Sequence, residues 1–251
     1  MKRVSRAVVL ALFVMLGQPR AASPDEIRIV CSNGLKAVVE DLVPKFERTT
    51  NHTVVVKYGL AASLKQRIEG GEAFDVAFVT PAVMDDLVAH GKISGDTRKT
   101  IARSPLALAI RTGARKPDIS TVAAFKRALL NATSIAYARE GASGIAFAAV
   151  IQRLGIADDL KSKSRLTTTG EEVSGAVAKG DVELGVLPLS EILPVKGVEV
   201  IGTFPGDLQN YIVMVGGVSS ASKQASASRD LIGYLTAPAA LPVLRAKGME
   251  R

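Results

Sequence analysis

Few residue types in this chain can carry chemistry, and they narrow what it can do. Of its 251 residues one is cysteine, two are histidine and none is tryptophan. Cys31 is the single thiol, and His52 and His90 are too isolated in the sequence to build a zinc site or to serve as the base beside a nucleophile. Gly141-Ala142-Ser143-Gly144 does not have the Gly-x-Ser-x-Gly spacing of a strained nucleophile turn. What remains is a set of neutral donors at the ends of expected strands. Ser32 and Asn33 follow the first strand, Ser63 follows the second, and Ser143 follows a later one. Each stands just before or inside the first turn of an expected helix, where backbone N–H groups lack intrahelical partners and the helix dipole favours negative charge. The chemistry this allows is non-covalent capture of an anion. Ser32 or Asn33 could also act only as a helix cap, and both readings stand on the sequence.

The elements that must position these residues follow from periodicity. Ile27 to Val30 is a short apolar strand, and the next helix carries Leu35, Val38, Val39, Leu42 and Phe46 on one face. Pro44 within that pattern predicts a kink or an early helix end near Val43, because it has no N–H for the carbonyl of Glu40. Thr53 to Tyr58 is β-branched and predicts a strand; Gly59 ends it, and a helix opens at Ala61-Ala62-Ser63 and stops at Gly70-Gly71. Phe74 to Val79 is the next strand, with Pro81 as first residue of the helix after it. Two strand ends and two helix starts thus share one edge, where a right-handed strand-helix-strand unit forms its crevice. Ser104 to Arg111 predicts a strand leaving this lobe. A second series of strands and helices follows to Thr203, repeating at Ser134 to Ser143 the order strand, glycine loop, serine, helix. Tyr211 to Gly217 and two closing helices return to the first lobe.

Residues 1–23 begin with three positive charges within Met1 to Arg6, continue with an apolar run from Ala7 to Leu16 and the small residues Ala21-Ala22-Ser23, and are expected to form a secretory signal peptide. The run is too short to span a bilayer, which takes about 20 apolar residues. The formal charge is +8; without residues 1–23, 28 basic residues face 24 acidic ones, a net charge of +4. With no Lys/Arg run longer than two and few aromatics, a nucleic-acid platform is not expected. One cysteine forms no internal disulfide. The fold class expected is α/β, as two lobes around a central cleft: residues 24–103 with 208–251 in lobe I, and 104–207 in lobe II.

With these motifs in order, the chain resembles a periplasmic solute-binding protein of the two-lobed class (type 2) whose chain crosses twice between lobes, and within it the molybdate-binding family of ABC transporters. The resemblance rests on Ile27-Arg28-Ile29-Val30, Leu64 to Gly71, Phe74-Asp75-Val76, Gly144 to Gly155, Leu184-Gly185-Val186, Lys196 to Val200, Phe204-Pro205 and Lys247-Gly248. It covers essentially the whole chain after the signal peptide. It implies an anion pocket whose first-loop serine falls near Gly34 and whose second-loop serine cluster falls on Leu60-Ala61-Ala62-Ser63. Backbone donors in the second lobe fall on Ser143 and Val173, and the family's tyrosine falls near Pro188. Two donors of the family pattern are therefore absent.

The expected ligand contacts are Ser32, Asn33, Gly34, Ala62, Ser63, Ser143 and Val173, with Ser63 and Ser143 facing each other across the cleft. Asp75 is expected to hold loop N–H groups, Glu140 to point outward, and Cys31 to be a small buried residue. The resemblance implies a monomeric periplasmic protein that captures a small molybdate-like oxyanion for an inner-membrane ABC permease, with no cofactor, no metal and no chemistry of its own. The chain lacks a Gly-x-x-x-x-Gly-Lys-Ser/Thr loop for ATP. A small organic carboxylate is the alternative ligand, since carboxylates also use helix N-termini and hydroxyl donors, and a ligand-binding sensor is the alternative role.

Overall fold

Apolar, β-branched segments form the centre of the fold, and the computed structural model describes them over residues 26–251; the expected signal peptide lies outside these residues. Strand β1 (Glu26–Ser32) runs between β2 (Thr53–Gly59) and β3 (Val76–Val79), parallel to both. Its first helix, α1 (Lys36–Thr50), continues through Pro44 with no end at Val43, which corrects the expected break. Val38, Val39, Leu42, Val43 and Phe46 are all buried along one face. At about 1.5–3 kcal/mol each, these side chains together outweigh the roughly 3 kcal/mol cost of an interior proline. Pro44 and Glu40 both lie on the exposed side, where water can bond the freed carbonyl. Helix α2 (Ala61–Glu69) joins β2 to β3, and α3 (Pro81–Ala89) follows β3 with Pro81 in its first turn.

Strand β4 (Lys99–Arg111) is longer than expected and serves two sheet halves. Lys99 to Pro105 pairs antiparallel with β9 (Tyr211–Val218), which in turn pairs with β3. From Leu106 onward its partners are β7 (Leu184–Pro188) and β8 (Val198–Thr203). The main strand order is β2-β1-β3-β9-β4-β7-β5-β6, with β5 (Ile135–Ala138) and β6 (Ser164–Thr167) parallel to each other and β5 parallel to β7. Helix α4 (Val122–Asn131) precedes β5, capped by the Thr121 hydroxyl, which accepts from Ala124 N–H at 3.1 Å. Helix α5 (Ala142–Arg153) and the short α6 (Ala157–Lys161) lead from β5 to β6, and α7 (Gly170–Lys179) leads to β7. The four-residue α8 (Leu189–Ile192) follows β7 without a loop. Helices α9 (Ala225–Thr236) and α10 (Leu241–Ala246) close on the first half, where Phe46 meets Tyr234 with ring centroids 5.6 Å apart. Among the described residues no helix is long and apolar enough to cross a membrane.

The two halves are also joined by a buried chain of hydrogen bonds. Ser104 on β4 donates through its hydroxyl to the Gly248 carbonyl at 2.9 Å and accepts from Ser190 N–H at 3.0 Å. The Ser190 hydroxyl donates to the Gly34 carbonyl at 2.9 Å. Residues near the end of the chain, the crossover strand, α8 and the loop after β1 thus form one unit.

Asp75, with a fully buried position before β3, accepts from Arg28 N–H at 2.8 Å, Arg28 Nε at 3.1 Å and the Ser222 hydroxyl at 2.7 Å. Burial pushes its carboxyl up, but these donors prevail and hold it below the usual carboxylate range. A carboxyl with a depressed folded pKa stabilises above its unfolded value and loses that contribution as pH falls through the folded one. Asp75→Asn should therefore lower stability at pH 7 by about 1–3 kcal/mol, with the gap to wild type closing below about pH 4. Urea melts of both proteins from pH 3 to 7 check this.

Candidate functional site

The anion-seeking ends of four helices meet between the two sheet halves. They border a cavity of about 240 Å³ lined by the loop after β1 (Ser32, Asn33), the start of α2 (Leu60, Ala61, Ala62) and the start of α3 (Thr80, Ala82, Val83). Facing these stand the start of α5 (Gly141, Ala142, Ser143, with Ile145), Gly170 at the start of α7, Pro188 and Glu191 around α8, and Ile212 and Met214 on β9. The first intrahelical bonds of α2, α3 and α5 are made by Leu64, Met84 and Ile145 N–H, so the N–H groups before them are left over. In α7 the Thr169 hydroxyl accepts from Glu172 N–H at 3.2 Å, which leaves Gly170 and Glu171.

Among the described residues the polar side chains at the cavity have no hydrogen-bond partners. Ser32 and Ser143 are buried residues, yet among the described residues neither hydroxyl makes a hydrogen bond, and the side chains of Asn33 and Thr80 also make none. Ser32 gives no side-chain cap to the turn it precedes. Four uncommitted donors around one space suit a ligand with several acceptor oxygens.

Of the residues singled out from the sequence, Ser32, Asn33, Ala62 and Ser143 line this cavity. Gly34 is buried beside it: a Cβ there would come 2.6 Å from the Met214 methyl and 3.6 Å from Glu191 Oε1. Ser63 is exposed one residue beyond Ala62 and is not part of the lining, so it does not face Ser143 across the space. Val173 lies in a buried cluster with Ala176, Val177 and Leu187, and its N–H bonds the Thr169 carbonyl at 3.4 Å. Glu140 is exposed at the rim of the cavity. Cys31 is fully buried, and burial together with the nearby Glu40 carboxylate pushes its thiol far up.

The residue that the sequence reading missed is Glu191. It is partly buried on α8, between the 240 Å³ cavity and a second one of about 250 Å³ that also touches Lys36, Glu40 and Glu171. Burial, and secondarily the Glu171 carboxylate, pushes its carboxyl up to about 7. Among the described residues it has no hydrogen-bond or ion-pair partner. Lys36, the nearest cation of the second cavity, is instead paired with Glu171 at 2.7 Å across the two halves. An acid in the first turn of a short helix carries no sequence signal beyond ordinary dipole matching, so nothing in the one-dimensional pattern marked it.

A metal finds less support. Glu69, Asp86 and His90 bring ligand atoms within 4.8 Å of one another on the outside of α2 and α3, but Asp86 is paired with Lys65 at 2.7 Å.

The fold and cleft define a type 2 periplasmic-binding-protein architecture, mixed α/β with a cavity between two halves. The chain belongs to the bacterial extracellular solute-binding protein family, whose model matches residues 27–250, and it is molybdate-binding-like within it. The aconitate isomerase of a Pseudomonas species is 30% identical over 241 residues, covering 92% of this chain and 90% of that one. The molybdate-binding protein of Azotobacter vinelandii is 26% identical over 233 residues, 91% of each chain. A solved periplasmic molybdate-binding protein from Azotobacter vinelandii superposes with a TM-score of 0.77 at 20% identity, over 90% of this chain and 99% of that chain.

Gly144 sets how closely α5 approaches β5. A Cβ there would lie 1.8 Å from the Ala138 carbonyl oxygen, a backbone atom that cannot rotate away. Gly144→Ala should push the α5 start outward, destabilise the protein by about 1–3 kcal/mol and weaken ligand binding. Thermal melting and titration with a bound ligand, side by side, check both effects.

Proposed function

We propose that this chain is the binding component of an uptake system and captures a small organic carboxylate between its halves, for release to an inner-membrane ABC permease. The observation that carries the reading is the mixed wall of the cavity. Helix N-termini and four free polar side chains suit carboxylate oxygens, while Val83, Ile145, Ile212 and Met214 suit a hydrocarbon skeleton that a bare tetrahedral oxyanion lacks. Ile145 is 61% exposed at this position, an apolar side chain left in water unless a ligand covers it. The 30% identity to an aconitate isomerase, a protein named for an organic acid, supports the same ligand class.

Neutral donors hold an anion without a buried ion pair that must be broken at release. A thermal-shift screen with molybdate, tungstate, sulfate, phosphate and a panel of mono-, di- and tricarboxylates tests the reading. A shift confined to carboxylates is expected; a shift confined to molybdate and tungstate would favour the oxyanion instead. With the stabilising ligand, Ser143→Ala should weaken binding by about 0.5–3 kcal/mol, the range from an ordinary hydrogen bond to one made to a charged group.

A second reading, turnover of the captured acid, is favoured by the unpaired Glu191 beside the cavity and by the same relative. Incubating the protein with cis-aconitate and following the trans isomer by proton NMR separates capture from conversion. The division of the chain into 24–103 with 208–251 and 104–207 implies a hinge, and ligand should close it. Small-angle scattering with and without saturating ligand should show a smaller radius of gyration for the complex; identical curves would rule the closure out.

A further inference from the structure

Glu191 poses a problem for any anion site. Its carboxyl borders the cavity from α8, with Oε2 2.1 Å from where a Cβ of Gly170 would stand and Oε1 3.6 Å from that of Gly34. Only glycine at 170 leaves that oxygen its place. The other acids lining the same two cavities add negative charge: Glu171 on α7, Glu40 on α1, and Glu140 at the rim. Among the described residues Lys36 on α1 is the one cation lining either cavity, and Glu171 engages it at 2.7 Å. Ile212 and Met214 of β9 and Pro188 of β7 offer no charge. An ionised Glu191 would therefore repel every anion that four helix ends attract.

The repulsion disappears, and becomes attraction, when the side chain is a neutral acid. We propose that Glu191 is the specificity-determining residue of the site: it takes up a proton as a polycarboxylate binds and donates a hydrogen bond to one of the ligand's carboxylate oxygens. This rests on the carboxylate reading above. The proton comes from solvent and sits on the Glu191 oxygen nearer the ligand; no covalent bond of the ligand changes. Burial, and secondarily the Glu171 carboxylate, already push its carboxyl up to about 7, so a ligand carboxylate placed beside it favours the protonated form further. A ligand with two or more carboxylates gains most, since one group can occupy the helix ends while another accepts from Glu191. A monocarboxylate leaves one of these two contacts unmade.

The test is calorimetric titration of the full-length mature protein with trans-aconitate and with citrate between pH 6 and 9, in buffers of different ionisation enthalpy. Wild type should take up close to one proton per ligand at pH 8, and its affinity should fall by up to about tenfold per pH unit above 7. Glu191→Gln, whose amide can donate without titrating, should bind with a flat pH profile and no buffer dependence attributable to the protein. Its unliganded melting temperature verifies folding, and the wild-type proton count stands without any variant. Tight carboxylate binding by wild type that is flat from pH 6 to 9 with no proton uptake would overturn the role of Glu191 and leave the carboxylate reading intact. Absence of binding by any di- or tricarboxylate at any pH would overturn the role of Glu191, and absence of binding by any monocarboxylate as well would overturn the carboxylate reading with it.

Discussion

Positive helix ends pointed at one another across a gap are the constraint on which this molecule depends. The starts of α2 and α3 on one side and of α5 and α7 on the other bring like partial charges towards a shared space, and a folded chain accepts this only where something negative can enter. Everything nearby serves that arrangement. The strands end at the same edge, glycine at 144 lets α5 come down on β5, and the hydroxyls of Ser32 and Ser143 remain uncommitted. Ser190 reaches the Gly34 carbonyl and Lys36 reaches Glu171 across the two sides. The second of these pairs is exposed and worth little by itself, about 0.2–1 kcal/mol.

Most of the fold was legible because its elements are local and strongly periodic. The alternation in β2, the paired Leu64 and Ile68 of α2, and Pro81 at the first turn of α3 all announce themselves. Reading failed where tertiary packing overrode a local rule. Pro44 should end a helix, yet burial on both sides of it carries α1 on to Thr50. Likewise β4 looked like an eight-residue strand, and its full 13 residues are strand only because β9 arrives from far along the chain to pair with Lys99 to Pro105.

The site was legible in its backbone and less so in its side chains. Ser32, Asn33, Ala62 and Ser143 come together as strand ends and helix starts require. Ser63 does not, because one residue further along a helix turns a side chain by about 100° and takes it off the cavity face. Glu191 was invisible for another reason: what sets it apart is having no partner among the described residues, and a sequence shows which groups are present but never which are left unpaired.

The late position of β9 sets the order in which the molecule can assemble. In the first sheet half β9 lies between β3 and β4, so the gap between strands that end at Val79 and begin at Lys99 is filled by residues 211–218. Ser104 is likewise satisfied only by Gly248 and Ser190. A chain emerging from the ribosome in sequence order can pair β1, β2 and β3 early but leaves the edges of β3 and β4 open until residues 211–218 have been made. Completion of the first half therefore waits for the second half to be synthesised, which favours an unlocked state during synthesis over early commitment to the native form.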